Sequence, residues 1–159
     1  MLWVWLHLCL LWLGSPKVTR IYLAEASDEN EVLQLAASLE AGSEHPLALS
    51  IVESAKDRDL VPEQAEKFQA IAGHGVEGVV RGHRLFFGNE KLMRDQSIDI
   101  EPHIETAQLM AKEAQTPIYL AVDGKLAAII AVSDQGRLHQ CNQAIAEQWY
   151  PGRDAHRRQ

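Results

Sequence analysis

Apolar and polar residues alternate over residues 17–23, and several are β-branched, which predicts a strand. From Asp28 the period changes to that of a helix. Val32, Leu33, Leu35, Ala36 and Leu39 share one face, Asp28 and Glu31 have the spacing of an N-cap and its reciprocal partner, and Gly42 supplies a stop. A second helix is predicted to open at Pro46, where a missing N–H costs nothing, with Leu47, Ile51, Val52 and Ala55 as its apolar stripe. A short Gly-Ser turn joins the two into a helical hairpin with Glu44 and His45 at the joint. Strand-like segments follow at 68–72, 76–81 and 84–88, with turn character at Gly82-His83 between the last two. Helices are predicted at 89–94 and 102–114. Strands at 118–122 and 126–132 then flank Asp123-Gly124, a two-residue hairpin signal. This order predicts an α+β fold, a largely antiparallel sheet with flanking helical hairpins.

Composition narrows the function classes. A chain of 159 residues is long enough to bury a core of its own, and 47% apolar with 23% charged residues is ordinary for a globular protein. A net charge of −7 argues against a nucleic-acid surface, since Arg153, Arg157 and Arg158 form only a short patch near the end. Cys9 and Cys141 make no Cys-x-x-Cys pair, and the histidines have no helical ligand spacing, so no metal site and no disulfide framework is expected. Residues 2–13 form an apolar run broken by His7, shorter than the roughly 20 residues that span a bilayer. It is read as a leader foreign to the rest, the alternative being a signal-like or membrane-surface segment.

Candidate chemistry begins with glycines. Gly73-His74-Gly75-Val76-Glu77-Gly78 matches G-x-G-x-x-G, yet that fingerprint needs a helix to follow, and Val79-Val80-Arg81-Gly82 offers a strand and a turn. No G-x-x-x-x-G-K-[ST] loop occurs either. What two glycines can offer is close approach of a flat ligand to bare backbone. Glu44 and His45 add a carboxylate that can accept from an exocyclic amine and a planar ring beside it, a pair suited to a purine.

Ser43-Glu44-His45-Pro46-Leu47-Ala48, then Gly73-His74-Gly75, then Gly88-Asn89, resemble in order and spacing the nucleotide-binding domain of heavy-metal P-type ATPases. Residues 16–134 look like that whole domain, most similar to those of copper exporters. The resemblance implies ATP binding with adenine recognised by Glu44 and His45 and the nucleotide pocket lined by Gly73, Gly75, Val76, Gly88 and Asn89, with Mg-ATP as the form used by the parent pump. It implies no catalytic residue and no metal site in this chain, no nucleic-acid partner, and a monomer on the cytoplasmic face of the membrane. Membrane association would come only through the parent pump or the apolar leader. The alternative is a regulatory or interaction domain that has lost nucleotide.

Both flanks depart from the family pattern. The Asp-Lys-Thr-Gly-Thr stretch phosphorylated in such pumps occurs nowhere, so turnover by this chain alone is not expected. The expected division is residues 1–14 as leader, 15–134 as ATP-binding domain, 135–147 as a remnant of the next family helix, and 148–159 as an unstructured tail. Peptide 149–159 can be written in codons that, read one base later, spell Gly-Ile-Gln-Val-Val-Met-Leu-Thr-Gly-Asp, which is the family's next strand. A frameshift near Gln148 is therefore expected, and the underlying DNA would decide it.

Overall fold

Strand β1 (Pro16–Leu23) opens the computed structural model, which describes residues 16–25 and 27–134. The expectations for residues 1–14, 135–147 and 148–159 lie outside the described residues. Helices α1 (Glu29–Glu40) and α2 (Pro46–Lys56) follow as a hairpin. Strands β2 (Glu66–Ile71), β3 (Gly75–Val80) and β4 (His83–Gly88) come next, then helix α3 (Glu90–Asp95). A 3-10 turn at Glu101–His103 leads into α4 (Ile104–Lys112), and β5 (Thr116–Val122) and β6 (Lys125–Asp134) complete the order.

All six strands join one sheet in the order β1-β6-β5-β4-β3-β2, and every pairing is antiparallel. The expected α+β fold with flanking helices is thus the observed one. Alternation along the central strands explains why both faces are covered. Leu85, Phe87, Leu120 and Ile130 point to the face packed by α1 and α2, where they meet Leu33, Leu39 and Ile51. Their neighbours Phe86, Tyr119, Ala121 and Ile129 point the other way, onto Leu92, Met93 and Met110 from α3 and α4. Fully burying each large apolar side chain contributes about 1.5–3 kcal/mol, so these two layers outweigh any single cap or ion pair.

Local differences from the sequence expectations have physical causes. The β3–β4 turn is Arg81-Gly82, one residue earlier than expected, because both residues take positive φ (54° and 81°) and His83 is already paired with Val80. Asp28 caps α1 by accepting from the Asn30 N–H at 3.2 Å, and Glu31 makes no return bond among the described hydrogen bonds. The single helix expected over 102–114 is split. Pro102 sits in a tight 3-10 turn closed by the His103 N–H donating to the Ile100 carbonyl at 2.9 Å, and the α-helix starts only after it. The Asp123-Gly124 hairpin turn stands as expected, with φ of 49° and 85°.

Candidate functional site

One end of the sheet gathers the chemistry. Register places Gly75 opposite Gly88, and Gly88 opposite Tyr119, so the start of β3, the end of β4 and the start of β5 lie side by side. The joint of the helical hairpin closes over that end. Between them is a cleft of about 410 Å³, floored by Val76, Phe87 and Ile118 and walled by Leu47 and the backbone of residues 70–75. Of the residues expected at the site, His45, Gly73, Gly75, Val76, Gly88 and Asn89 all line it. Glu44 does not: it is exposed at the joint, outside the lining.

The glycines divide by role. A Cβ on Gly75 would stand 2.2 Å from the Phe87 carbonyl oxygen and 2.6 Å from Gly88 Cα, and one on Gly88 would stand 2.2 Å from the His74 carbonyl oxygen. These two are glycines because two strands touch there. Gly73, at φ 73°, has nothing within 4 Å of its missing Cβ, so its bare backbone faces open space at the cleft. Asn89 ties this turn down. Its Oδ1 accepts from the Leu92 N–H at 3.0 Å as the cap of α3, its Nδ2 donates to the Gly73 carbonyl at 3.0 Å, and its own N–H donates to the His74 carbonyl at 2.9 Å. His74 Nδ1–H donates to the Ala72 carbonyl at 2.7 Å while Nε2 accepts from the Lys91 ammonium at 2.8 Å.

His45 is the N-cap of α2, its Nδ1 accepting from the Leu47 N–H at 3.2 Å. The cap engages Nδ1, so a contact from this ring to a ligand would be made through Nε2. The residue missed by sequence reading is Glu40. It ends α1, is only 8% exposed, lines the cleft, and its Oε2 is buried with no hydrogen-bond partner among the described residues. Burial raises its carboxyl above the usual range, and a hydrogen bond from Ser43 and the nearby His45 offset this only in part. The sequence did carry a signal: Leu33, Ala36 and Glu40 fall on one helical stripe whose other members are fully buried. A carboxylate on an apolar stripe is a reason to ask what it faces.

Among the described residues, the titratable side chains lining the cleft are Glu40, His45 and His74, with no Lys or Arg. The arrangement suits an uncharged, flat, hydrogen-bonding group better than an anion. Among the described residues there is no cluster of three or more potential metal ligands.

Comparison with known proteins places the cleft in context. The chain is 42% identical over 121 residues to "Copper-transporting ATPase 1" of Rhizobium meliloti (strain 1021), a match that takes in 76% of this chain and 15% of that protein. It is 38% identical over 121 residues to the "Silver exporting P-type ATPase" of Salmonella typhimurium, with the same coverage of 76% and 15%. The chain therefore spans about 15% of the length of these curated relatives. Among solved structures, the N-domain of HMA6, a copper-transporting P-type ATPase, superposes with a TM-score of 0.61 at 30% identity, covering 76% of this chain and 100% of that one. A zinc-transporting PIB-type ATPase in its E2.Pi state gives a TM-score of 0.69 at 27% identity over 83% of this chain and 22% of its own. No family model matches.

Proposed function

Because the chain belongs to the heavy-metal P-type ATPases, as the nucleotide-binding domain of that family, we propose that its cleft binds ATP by the adenosine end. The observation that carries this is convergence: residues from the hairpin joint, the Gly73 turn and the Gly88-Asn89 corner, distant in sequence, line one cleft. The base lies on the floor of Val76 and Ile118, with its edge toward Glu40 and His45. Ribose rests against the bare backbone at Gly73. Glu44 is exposed at the joint, at the rim beside this lining. Since no Lys or Arg among the described residues lines the cleft, the phosphates extend out of it and Mg²⁺ arrives on them.

In this reading the parent protein is an ATP-driven metal translocase, copper being the metal its relatives' names suggest. Residues 15–134 are the ATP-binding unit, monomeric and on the cytoplasmic side. Among the described residues no helix is long and apolar enough to cross a membrane. Phosphoryl transfer needs a positioned nucleophile, and the sequence contains no Asp-Lys-Thr-Gly-Thr stretch, so this chain binds ATP without turning it over.

The test is a titration of the full ¹⁵N-labelled chain with ATP, alongside His45→Gln. Shifts concentrated at Glu40, His45, Gly73–Val76 and Asn89, with affinity at least about tenfold weaker in the variant, are expected from the loss of one oriented base contact. A folded chain that shows no shifts at millimolar ATP would sink the reading and leave an interaction domain without nucleotide.

A further inference from the structure

Resting on the reading of the cleft as an adenosine site, we propose that Lys91 meets the triphosphate as it leaves the cleft, with His74 holding the ammonium at the mouth beforehand. In that reading the ribose lies against Gly73, so the phosphates set out beside the next residue of the turn, His74. The Lys91 ammonium is already there, 2.8 Å from His74 Nε2. Two bonds from Asn89 fix the start of α3 against the turn: Nδ2 donates to the Gly73 carbonyl at 3.0 Å, and the backbone N–H to the His74 carbonyl at 2.9 Å. Lys91 comes two residues later, so its place is set by the same corner that shapes the turn.

Other cations are engaged elsewhere. Among the described residues, Lys91 is the one Lys or Arg bonded to a side chain that lines the cleft. Arg94, also on α3, is divided between Glu90 at 2.9 Å and Glu101 at 3.2 Å. Arg81 bonds to Glu63 and Gln34, and Arg84 to Glu77, none of which lines the cleft.

Lys91 also pairs with Asp95 one turn along α3, at 3.0 Å. An exposed i,i+4 pair of this kind is common helix decoration and contributes little. It does not account for the bond to His74, which belongs to a different element. An ammonium has three N–H donors, so with two engaged a third remains for a phosphate oxygen. The side chain is 66% exposed and can turn outward without unpacking anything. Lysine binds phosphate as a point charge on a flexible stem, and fixing that stem costs side-chain freedom. The bond to His74 removes part of that freedom before nucleotide arrives, which lowers the cost of ordering on binding.

Calorimetric titrations of the full chain with Mg-ATP and with adenosine test this, for wild type, Lys91→Ala, Lys91→Arg and Lys125→Ala. Lys91→Ala should weaken ATP about fivefold to tenfold and leave adenosine within about twofold, since the lost partner meets only phosphates. Lys91→Arg keeps the charge and should recover most of the ATP affinity. Lys125 controls for net charge: it lies at the opposite end of the β5–β6 pair from the cleft, and its loss should leave ATP binding unchanged. Raising salt from about 0.05 M to about 0.5 M should narrow the gap between wild type and Lys91→Ala, because it screens an exposed contact.

The proposal is overturned if Lys91→Ala binds ATP as wild type does, or if it loses ATP and adenosine alike, which would make Lys91 a support of the turn. It is overturned too if Lys91→Arg is no better than Lys91→Ala, or if Lys125→Ala loses as much. A wild type that binds adenosine as tightly as ATP would remove the phosphate contact and keep the adenosine site. A folded wild type that binds neither would refute the reading of the cleft itself.

Discussion

At the scale of single residues, space and backbone angle separate glycines that look alike in the sequence. Gly75 needs the absence of a Cβ because the Phe87 carbonyl and Gly88 Cα already occupy its place, whereas Gly73 needs only its positive φ. Gly75→Ala must push two paired strands apart, and overpacking of that kind costs about 1–3 kcal/mol or more on top of the backbone strain. Gly73→Ala carries only the left-handed penalty of about 1–2 kcal/mol. Thermal or denaturant unfolding of the two variants should therefore rank Gly75→Ala as clearly the less stable. Nucleotide titration should show Gly73→Ala weakened in binding out of proportion to its stability, because its new methyl points into open space at the cleft. Equal destabilisation would mean that the strand contact is softer than its distances imply. The motif pattern pointed to both glycines, but the difference in their reasons depends on which strand lies beside which. Glu40 shows the converse, a residue legible as a carboxylate on an apolar stripe yet meaningful only once the cleft in front of it is known.

At the scale of elements, Asn89 links a helix to a turn. The side-chain oxygen caps α3 and its amide nitrogen holds the Gly73 carbonyl, so one residue fixes both the helix start and the loop shape. Losing a cap of this type costs about 1 kcal/mol, within a range of about 0.5–2. Asn89→Asp keeps the capping oxygen and exchanges the donor for an oxygen facing the Gly73 carbonyl. The expected outcome is near wild-type stability for Asn89→Asp, with faster amide exchange at Gly73 and His74 and weaker ATP binding. Asn89→Ala should lose stability as well. If Asn89→Asp leaves exchange at the turn unchanged, the bond to Gly73 is not what orders it. Hydrophobic period and turn chemistry were enough to anticipate each helix and strand to within a few residues. The splitting of the helix at Pro102 and the one-residue shift of the β3–β4 turn were decided by hydrogen bonds and register, which apolar spacing does not encode.

At the scale of the whole molecule, the sheet has two buried faces, and each of the central strands β4, β5 and β6 serves both. Ile129 and Ile130 are adjacent in β6 and fully buried, one against α3 and α4, the other against α1 and α2. Each truncation to Ala should cost about 2–5 kcal/mol in chemical denaturation. A small loss for either one would show that its helical layer is loosely attached. The chain by itself determined the fold class, the hairpin of helices, the order of elements and three of the segments that meet at the cleft, because apolar period, caps and turn residues act over short distances. Only the tertiary structure decided that β1 pairs with β6 across the length of the domain, that Gly75 and Gly88 touch, that Glu44 stays outside the cleft, and that Glu40 is buried inside it. Those facts depend on which residues are brought together across the sheet, and desolvation, the force that sets the state of Glu40, exists only after that packing has excluded water.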